Sequence, residues 1–395
     1  MPLPYIRLVS LVIITVSIIA IFAMPSTEEL KQAAADFLHS KGLQLVSFQV
    51  IQLLWAGYGY ICRIQAIPTT LTTPQNKPIS LILKHITPPP TSGTLTESHP
   101  RRLLSYQVEQ SFYATLAPLM PPDIPIASCM SCNDSTTGSN TMLLLTDLKE
   151  TYSIPGELHA ELSSPQVYAA LDWLAGFHAF WWGRVSDFDR ASLCRPPLEH
   201  LRQHSGDRDL RCENVWLNGG YTYFATRRDE FRDLLQDETS EWAEALSAPI
   251  AGQASVAELV THVLAPAKDR HNVSPYETLI HGDVKSENLF TTTNGTTAAF
   301  YDFQYVGLGL GVTDLAKLFT CSVPPAMLAN RSSRGEDERG GREAIAKYEW
   351  AVFVRHWETA VVDWLRFQAS WGFGGNKEWL EGRERAIIRD GGWRG

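Results

Sequence analysis

Three residues in one stretch of the chain have the types and spacing that phosphoryl transfer requires. Asp283 and Asn288 lie in LIHGDVKSENLF, and Asp302 follows in AAFYDFQYVG after a short gap rich in Thr, Asn and Gly. Phosphoryl transfer needs a positioned nucleophile and neutralised charge, and carboxylates with metal ions supply both. We therefore predict that Asp283 orients and deprotonates an acceptor hydroxyl, and that Asn288 and Asp302 bind magnesium.

Short strands are expected to hold these residues in place. Asp302 follows an apolar stretch, 298–301, that is typical of a buried strand, and the preceding Asn294-Gly295 pair predicts a hairpin turn. Any single Asp in a loop is more simply a turn residue or a helix cap. The ordered set formed by the HGD motif, Asn288 and the DF pair favours the catalytic interpretation.

The motifs HGD and DFQ resemble those of the aminoglycoside phosphotransferase and choline kinase superfamily. Within it, the chain is most similar to the ecdysteroid-kinase-like proteins, also described as CHK-kinase-like. The resemblance extends over residues 28–390 and includes the segments TMLLLTDLKE, ALDWLAGFHAFWWG, GLGLGVTDLAKLF and VVDWLRFQASWGFGGN. It implies an α+β, two-lobed protein-kinase-like fold, with a small N-lobe β-sheet plus one helix and a larger helical C-lobe. It also implies transfer of the γ phosphate of ATP, with Mg²⁺, to a hydroxyl of a small molecule.

Two residues upstream match the phosphate-positioning pair of such a fold. SLILKHI predicts a strand with one buried face around Lys84, which lies where the family has its phosphate-binding lysine. SYQVEQSFYATLAPL predicts a helix, and Tyr106, Glu109, Phe112 and Tyr113 share one face of it. An ion pair between Lys84 and Glu109 would hold the ammonium group against the α and β phosphates. A surface Lys and a surface Glu are the alternative.

Nucleotide contacts are also expected from a glycine hairpin and from the segment TMLLLTDLKE, which resembles the hinge strand of the family and its exit. VIQLLWAGYGYICRIQAI predicts two strands joined at 56–59, where Gly57 and Gly59 would let backbone amides approach phosphates, although such a pair is more often just a tight turn. Cys62 replaces the third glycine of the protein-kinase loop. The resemblance further implies that adenine is recognised by backbone groups near Leu145 and Asp147, because the usual acidic hinge residue is replaced by Thr.

Lys285 lies inside the catalytic loop and has two equally weighted interpretations. It matches the lysine of the protein-kinase sequence DLKPEN and would contact the γ phosphate, or it is a solvated loop lysine. The main rival to a small-molecule kinase is a membrane-tethered pseudokinase, a binding module without turnover. If Lys285 contacts the γ phosphate, a protein kinase is a third possibility, which the motifs HGD and DFQ disfavour.

Several residues with chemical side chains are expected to be structural. His178 lies in an apolar helix pattern and is predicted to be a core histidine, while Asp314 in VTDLAKLF is predicted to cap the helix that it opens. The glycines at 307, 309 and 311 lack a following Rossmann pattern, so we expect a flexible activation-type segment. Cys129 and Cys132 form a CxxC motif that makes a poor zinc site, since no second CxxC or suitable His pair accompanies it.

Composition fits a single enzyme of this kind. The 395 residues are enough for a kinase-like N-lobe at 26–146 and a C-lobe at 147–395, with the catalytic loop at 281–290 and DFQ at 302–304. A net charge of −9 without a dense basic run argues against nucleic acid as a partner. Some of the 12 Trp are candidates for an aromatic cage around an ammonium group, although core packing is the simpler interpretation.

An apolar N-terminal run predicts a membrane anchor. Residues 8–24 are long enough to span a bilayer, and no cleavage pattern follows them, so we expect residues 1–25 to form an uncleaved single-pass anchor. Arg7 before the run and Glu28 and Glu29 after it favour a catalytic domain outside the cytoplasm. ATP chemistry favours the cytosolic side, so the side of the membrane stays open.

Overall fold

The computed structural model describes residues 26–69, 77–88, 97–132, 141–203, 212–250, 254–269, 271–329 and 348–390. The predicted membrane anchor at 8–24 lies outside these residues. Among the helices that are described, none has the length and apolar character needed to cross a bilayer.

The chain divides into two compact units, which we call the sheet unit and the helical unit. The sheet unit contains the described residues before Leu95 together with Ala127–Glu150. Its elements are helix α1 (Thr27–Ser40) and strands β1 (Leu43–Leu53), β2 (Gly59–Pro68), β3 (Ile79–Ile86), β4 (Cys129–Cys132) and β5 (Thr141–Thr146). The strands are antiparallel to their neighbours in the order β1-β2-β3-β5-β4.

Local sequence signals explain the start and the packing of α1. Ser26 and Glu29 form a capping box, in which each side chain accepts a hydrogen bond from the backbone of the other residue. The apolar face of α1 buries Leu38 in one cluster with Ile64 and Leu83 of the sheet. The predicted strands on both sides of 56–59 and around Lys84 are confirmed.

The helical unit contains the segment up to Ile126 that includes α2, and the residues from Thr151 onward. Its helices are α2 (Ser98–Ser111), α3 (Ser164–Trp181), α4 (Pro197–Gln203), α5 (Arg228–Leu235), α6 (Glu241–Ser247), α7 (Val256–Leu264), α8 (Val312–Cys321), α9 (Pro325–Ala329), α10 (Trp350–Trp371) and α11 (Lys377–Asp390). Its strands are short: β6 (Ile154–Pro155), β7 (Pro249–Ile250), β8 (Ala254–Ser255), β9 (Glu277–Ile280), β10 (Leu289–Thr291), β11 (Ala298–Phe300) and β12 (Gly307–Leu310). A sheet-rich unit and a helix-rich unit agree with the predicted kinase-like architecture.

Helix α2 packs with the helical unit, whereas the predicted N-lobe at 26–146 included it. The α2 helix continues into a π-helical turn, Phe112–Leu116, and the Phe112 ring stacks on Phe303 with 4.1 Å between ring centroids. Arg101 of α2 donates to the carbonyl of Thr226 at 2.8 Å. The DF pair therefore contributes an aromatic contact that fixes α2 within this unit.

Two antiparallel pairs carry the predicted site residues. β10 pairs with β11 in a hairpin whose loop, 292–297, is longer than a two-residue turn, and Gly295 adopts φ 72° in it. β9 pairs with β12, and all four residues of β12 are buried. The prediction of a flexible glycine segment is therefore wrong at Gly307 and Gly309. A Cβ at Gly307 would lie 2.4 Å from the carbonyl oxygen of Trp216, so glycine is needed there for close packing.

Candidate active site

The predicted catalytic loop leaves the end of β9 with a buried histidine. His281 is fully buried, and burial lowers the pKa of its ring, so the imidazole is neutral at pH 7. Its Nδ1 lies 3.2 Å from the amide nitrogen of Asp283 and accepts from it, and its Nε2 lies 3.0 Å from the carbonyl oxygen of Tyr301. This arrangement requires the proton on Nε2 and fixes the backbone that leads into Asp283.

Asp283 is the most densely contacted group of the loop. Its Oδ1 accepts a hydrogen bond from Lys317 Nζ, and its Oδ2 lies 3.5 Å from Lys285 Nζ. Asn288 Nδ2 donates to Asp283 Oδ2 at 2.9 Å and to its backbone carbonyl at 2.8 Å. The carboxylate is therefore fixed in one orientation by three side chains.

Electrostatics keep Asp283 ionised. Burial, the largest single influence, would raise the pKa of this carboxyl, but the ammonium groups of Lys317 and Lys285 outweigh it and hold the pKa well below its usual range. Burial would likewise lower the pKa of Lys285, yet the carboxylates of Asp283 and Glu287 raise it above its usual range. At neutral pH the Asp283 carboxylate is thus an anion between the ammonium groups of Lys285 and Lys317.

The side-chain amide of Asn288 is oriented so that its oxygen is available as a metal ligand. Both hydrogen bonds of its amide nitrogen go to Asp283, which leaves its oxygen as the group available to a cation. Oxygen ligands from amides and carboxylates suit a hard cation such as Mg²⁺.

Asp302 has an unusual backbone conformation. Its φ of 66° lies in the left-handed region, which costs a non-glycine residue roughly 1 kcal/mol or more and is common at functional sites. Its Oδ1 accepts from Gln304 Nε2 at 2.7 Å, which orients the carboxylate. Asn288 and Asp302 together fit the donor set of a magnesium site.

Lys285 is bound between carboxylates. Its Nζ lies 2.8 Å from Glu287 Oε1 in addition to its contact with Asp283, and the side chain is 27% exposed. It is therefore an ion-paired loop residue in this structure and not a freely solvated lysine. Its predicted contact with the γ phosphate stays a prediction.

The prediction that Asp314 caps its own helix is wrong. Its side chain makes no capping bond in α8 but instead accepts from the amides of His281 at 2.8 Å and Gly282 at 2.9 Å. His178 Nε2 completes the set at 3.0 Å from Asp314 Oδ2. The buried carboxylate therefore holds the catalytic loop, and His178 holds the carboxylate, which agrees with the structural role predicted for His178.

Lys317 was not recognised as a site residue from the sequence. It is buried on α8, one helical turn after Asp314, and its Nζ lies 5.2 Å from the Tyr221 ring centroid and 5.3 Å from that of Trp364. The aromatic rings near Asp283 thus surround a cation of the chain itself. A lysine in an otherwise apolar helix pattern was the one available signal.

The nucleotide residues predicted upstream lie in the sheet unit, apart from Glu109. Lys84 in β3 and Glu109 in α2 are 5% and 2% exposed, so neither is the surface residue of the alternative interpretation. The two belong to different units, and their ion pair stays a prediction.

Gly57 and Gly59 have φ values of 74° and 141°, and a Cβ at Gly59 would lie 2.0 Å from the carbonyl oxygen of His85.

The hinge residues take part in the sheet. Leu145 pairs with residues of both β3 and β4, which places its backbone inside the sheet. Asp147 follows β5, and its Oδ2 accepts from Arg63 Nε at 2.7 Å and Ser80 Oγ at 2.8 Å. Its carboxylate is therefore used within the sheet unit, and adenine recognition by backbone groups of this segment stays a prediction.

A profile of the phosphotransferase enzyme family (APH) matches residues 46–349 of the chain. The chain belongs to this family, which confirms the resemblance to the aminoglycoside phosphotransferase and choline kinase superfamily and the predicted enzyme class, a small-molecule kinase. The closer similarity to ecdysteroid-kinase-like proteins stays a prediction. A search of curated proteins finds no match.

Solved structures similar to this chain include members of several kinase groups. The macrolide 2′-phosphotransferase of Brachybacterium faecium is 12% identical over 91% of this chain and 93% of its own, with a TM-score of 0.41. The choline kinase of Streptococcus pneumoniae is 10% identical over 91% and 98%, with a TM-score of 0.37. A mutant aminoglycoside phosphotransferase with ADP and hygromycin B is 11% identical over 90% and 98%, with a TM-score of 0.41.

Proposed function

We propose that this protein transfers the γ phosphate of ATP to a hydroxyl group of a small molecule, with magnesium. The observation that carries the proposal is the fixed carboxylate of Asp283, with Asn288 directed onto it and two lysines beside it. Membership of the phosphotransferase family supports the same reaction.

In the proposed mechanism, Asp283 accepts a hydrogen bond from the acceptor hydroxyl and aligns its oxygen with the γ phosphorus. A carboxylate oxygen has lone pairs beyond those that Lys317 and Asn288 use, so it retains capacity for this bond. The hydroxyl proton passes to Asp283 as the new P–O bond forms and the bond to the departing ADP oxygen breaks. The low pKa of Asp283 suits a loose transition state, in which proton transfer comes late and positioning matters most.

Asn288 and Asp302 are proposed to hold magnesium, which when bound neutralises phosphate charge. Lys84 is proposed to pair with Glu109 and to position the α and β phosphates, and Lys285 is proposed to contact the γ phosphate. The burial of Lys84 supports the assignment, because a buried ammonium group requires an anionic partner.

Nucleotide binding tests this proposal most simply. Calorimetric titration of the purified chain with ATP is expected to show binding with magnesium and at least about tenfold weaker binding with a chelator, which corresponds to about 1.4 kcal/mol. Asp302→Ala is expected to weaken the binding to the same degree. Asp172→Ala, which removes an exposed carboxylate from α3, is the matched control and is expected to bind as the wild type does. Absence of binding by the wild type would contradict the proposal.

The alternative, a binding module without turnover, shares these binding properties. It differs in chemistry, because such a module consumes no ATP with any acceptor. A screen of small hydroxyl compounds for ADP release separates the two functions and identifies the acceptor class.

A further inference from the structure

The cysteines of the CxxC motif lie at the two ends of β4, an edge strand that pairs with β5. Residues three apart in a regular strand point to opposite faces. Here a register irregularity between Cys129 and Ser131 inserts an extra residue against β5. As a result both sulfurs lie on one side, with 2.9 Å between the Sγ atoms of Cys129 and Cys132.

This geometry is close to that of a covalent bond. A disulfide has an S–S distance of about 2.05 Å, so the sulfurs need to approach by roughly 0.9 Å. Both cysteines are partly exposed, and Met130 between them is 49% exposed, so small molecules have access to the strand. An edge strand also accommodates a small shift more easily than a central one, because among the described strands only β5 pairs with it.

The other cysteines have a different environment. Burial raises the pKa of Cys62 and of Cys321 to about 11, and it raises the pKa of Cys194 well above its usual range. The pKa of Cys129 is lowered, chiefly by the hydrogen bond with Cys132. Because the thiolate is the reactive form, Cys129 is the favoured nucleophile of the pair.

A metal is a weaker explanation for the pair. In the described part of the chain, no group of three or more Cys, His, Asp or Glu is placed to hold a metal ion. Two thiols alone leave a tetrahedral zinc site half complete.

We propose that Cys129 and Cys132 form a redox-active dithiol that exchanges with small-molecule disulfides such as oxidised glutathione. The Cys129 thiolate attacks one sulfur of the disulfide, forms a mixed disulfide and releases one thiolate. Cys132 then loses its proton to solvent and attacks the Cys129 sulfur, which forms the intramolecular disulfide and releases the second thiolate. The two cysteines lose two electrons in total, and the small disulfide is reduced to two thiols.

The test treats the purified full chain with oxidised glutathione, alkylates the remaining thiols and maps each cysteine by peptide mass spectrometry. In the wild type, Cys129 and Cys132 are expected to become linked and resistant to alkylation, with two glutathione thiols released per chain. Cys132→Ser is expected to accumulate a mixed disulfide on Cys129. Cys129→Ser is expected to react more slowly at Cys132, because Cys129 is the favoured nucleophile.

Cys321→Ser removes a cysteine outside the pair, whose pKa is raised by burial, and is expected to behave as the wild type does. The proposal is overturned if Cys129 and Cys132 stay open to alkylation in the treated wild type, or if both single variants form mixed disulfides at the same rate. Neither readout depends on nucleotide or acceptor, so the result is independent of the proposed kinase activity.

Discussion

Lys317 Nζ forms an ion pair with Asp283 Oδ1 inside the helical unit, across 34 positions of sequence. The side chains of Lys317 and Asp283 are 7% and 10% exposed, so water screens the pair little. Lys285 approaches the other oxygen of the carboxylate. The pair keeps Asp283 ionised and oriented, which makes Lys317 a positioning residue for the proposed base.

Replacement of Lys317 by Met is expected to destabilise the fold. The variant leaves the buried Asp283 carboxylate with one cation fewer, and removal of one partner of a buried pair costs about 3 kcal/mol of the free energy of unfolding. Urea denaturation at pH 7 measures this loss. The control is Lys377→Met, whose ammonium group is half exposed beside Glu381 and is expected to change stability by less than about 0.5 kcal/mol. Equal stabilities of the two variants would contradict the importance of the buried pair.

The same variant has an effect on activity that a purely structural role does not produce. Without Lys317 the pKa of Asp283 rises, so a larger part of the enzyme is protonated and inactive at acidic pH. The acid limb of the kcat/KM profile is expected to move to higher pH, while the control variant keeps the wild-type profile. An unchanged acid limb would show that Lys317 serves stability alone.

Asp283 is also expected to link stability to pH. Its folded pKa is lowered below the unfolded value of about 3.9, so its contribution is fully present above that value and is lost as pH falls through the folded pKa. The difference in unfolding free energy between the wild type and Asp283→Asn should therefore be constant above about pH 5 and shrink below about pH 4. Denaturation across this range measures it, and a difference that stays constant to the acid limit would refute the assigned shift.

Asp314→Ala is expected to disable the catalytic loop without any contact with substrate. The change leaves the amides of His281 and Gly282 without their buried acceptor, which costs about 1–3 kcal/mol for each unpaired group. We expect a lower melting temperature and a reduced kcat. Asp172→Ala on the exposed face of α3 is the matched control and should retain both. Normal activity of Asp314→Ala would mean that the loop keeps its shape by other contacts.

Two glycine substitutions should act in opposite directions. Gly307→Ala places a Cβ 2.4 Å from the Trp216 carbonyl oxygen, and this overlap with backbone is expected to cost about 2 kcal/mol. Gly382→Ala in α11 meets nothing within 4 Å and is expected to stabilise by up to about 1 kcal/mol, because alanine favours the helix. Thermal denaturation gives both values. A tolerated Gly307→Ala would contradict the close packing of β12.

The segment proposed as the catalytic loop was recognisable in the sequence because its information is local. The residues from His281 to Asn288 lie in one short loop, and the strand before Asp302 has a plain apolar pattern. The strands around Gly57 and Lys84 were predictable for the same reason, since alternating apolar residues report directly on a half-buried sheet.

The contacts made across the fold were not predictable in this way. An Asp at the start of a helix usually caps that helix, yet the Asp314 carboxylate accepts hydrogen bonds from the amides of His281 and Gly282, which are distant in sequence. Lys317 is unusual in an otherwise apolar helix pattern, but the pattern does not reveal which carboxylate lies beside it, so its contact with Asp283 was not predictable. Glycine at 307 and 309 is compatible with a flexible segment. In this structure the absence of a side chain instead allows neighbouring segments of the chain to pack closely.

The proposed function requires Asp283 as the base of a phosphoryl transfer, and ATP turnover by Asp283→Asn tests this role most directly. ADP release should be measured against a library of small hydroxyl compounds, for the wild type and for this variant, with ATP affinity determined in parallel. We expect ADP release by the wild type with at least one acceptor, a loss of this release of at least about a hundredfold in Asp283→Asn, and little change in ATP affinity. Equal ADP release by the two proteins, with the acceptor phosphorylated in both, would contradict it.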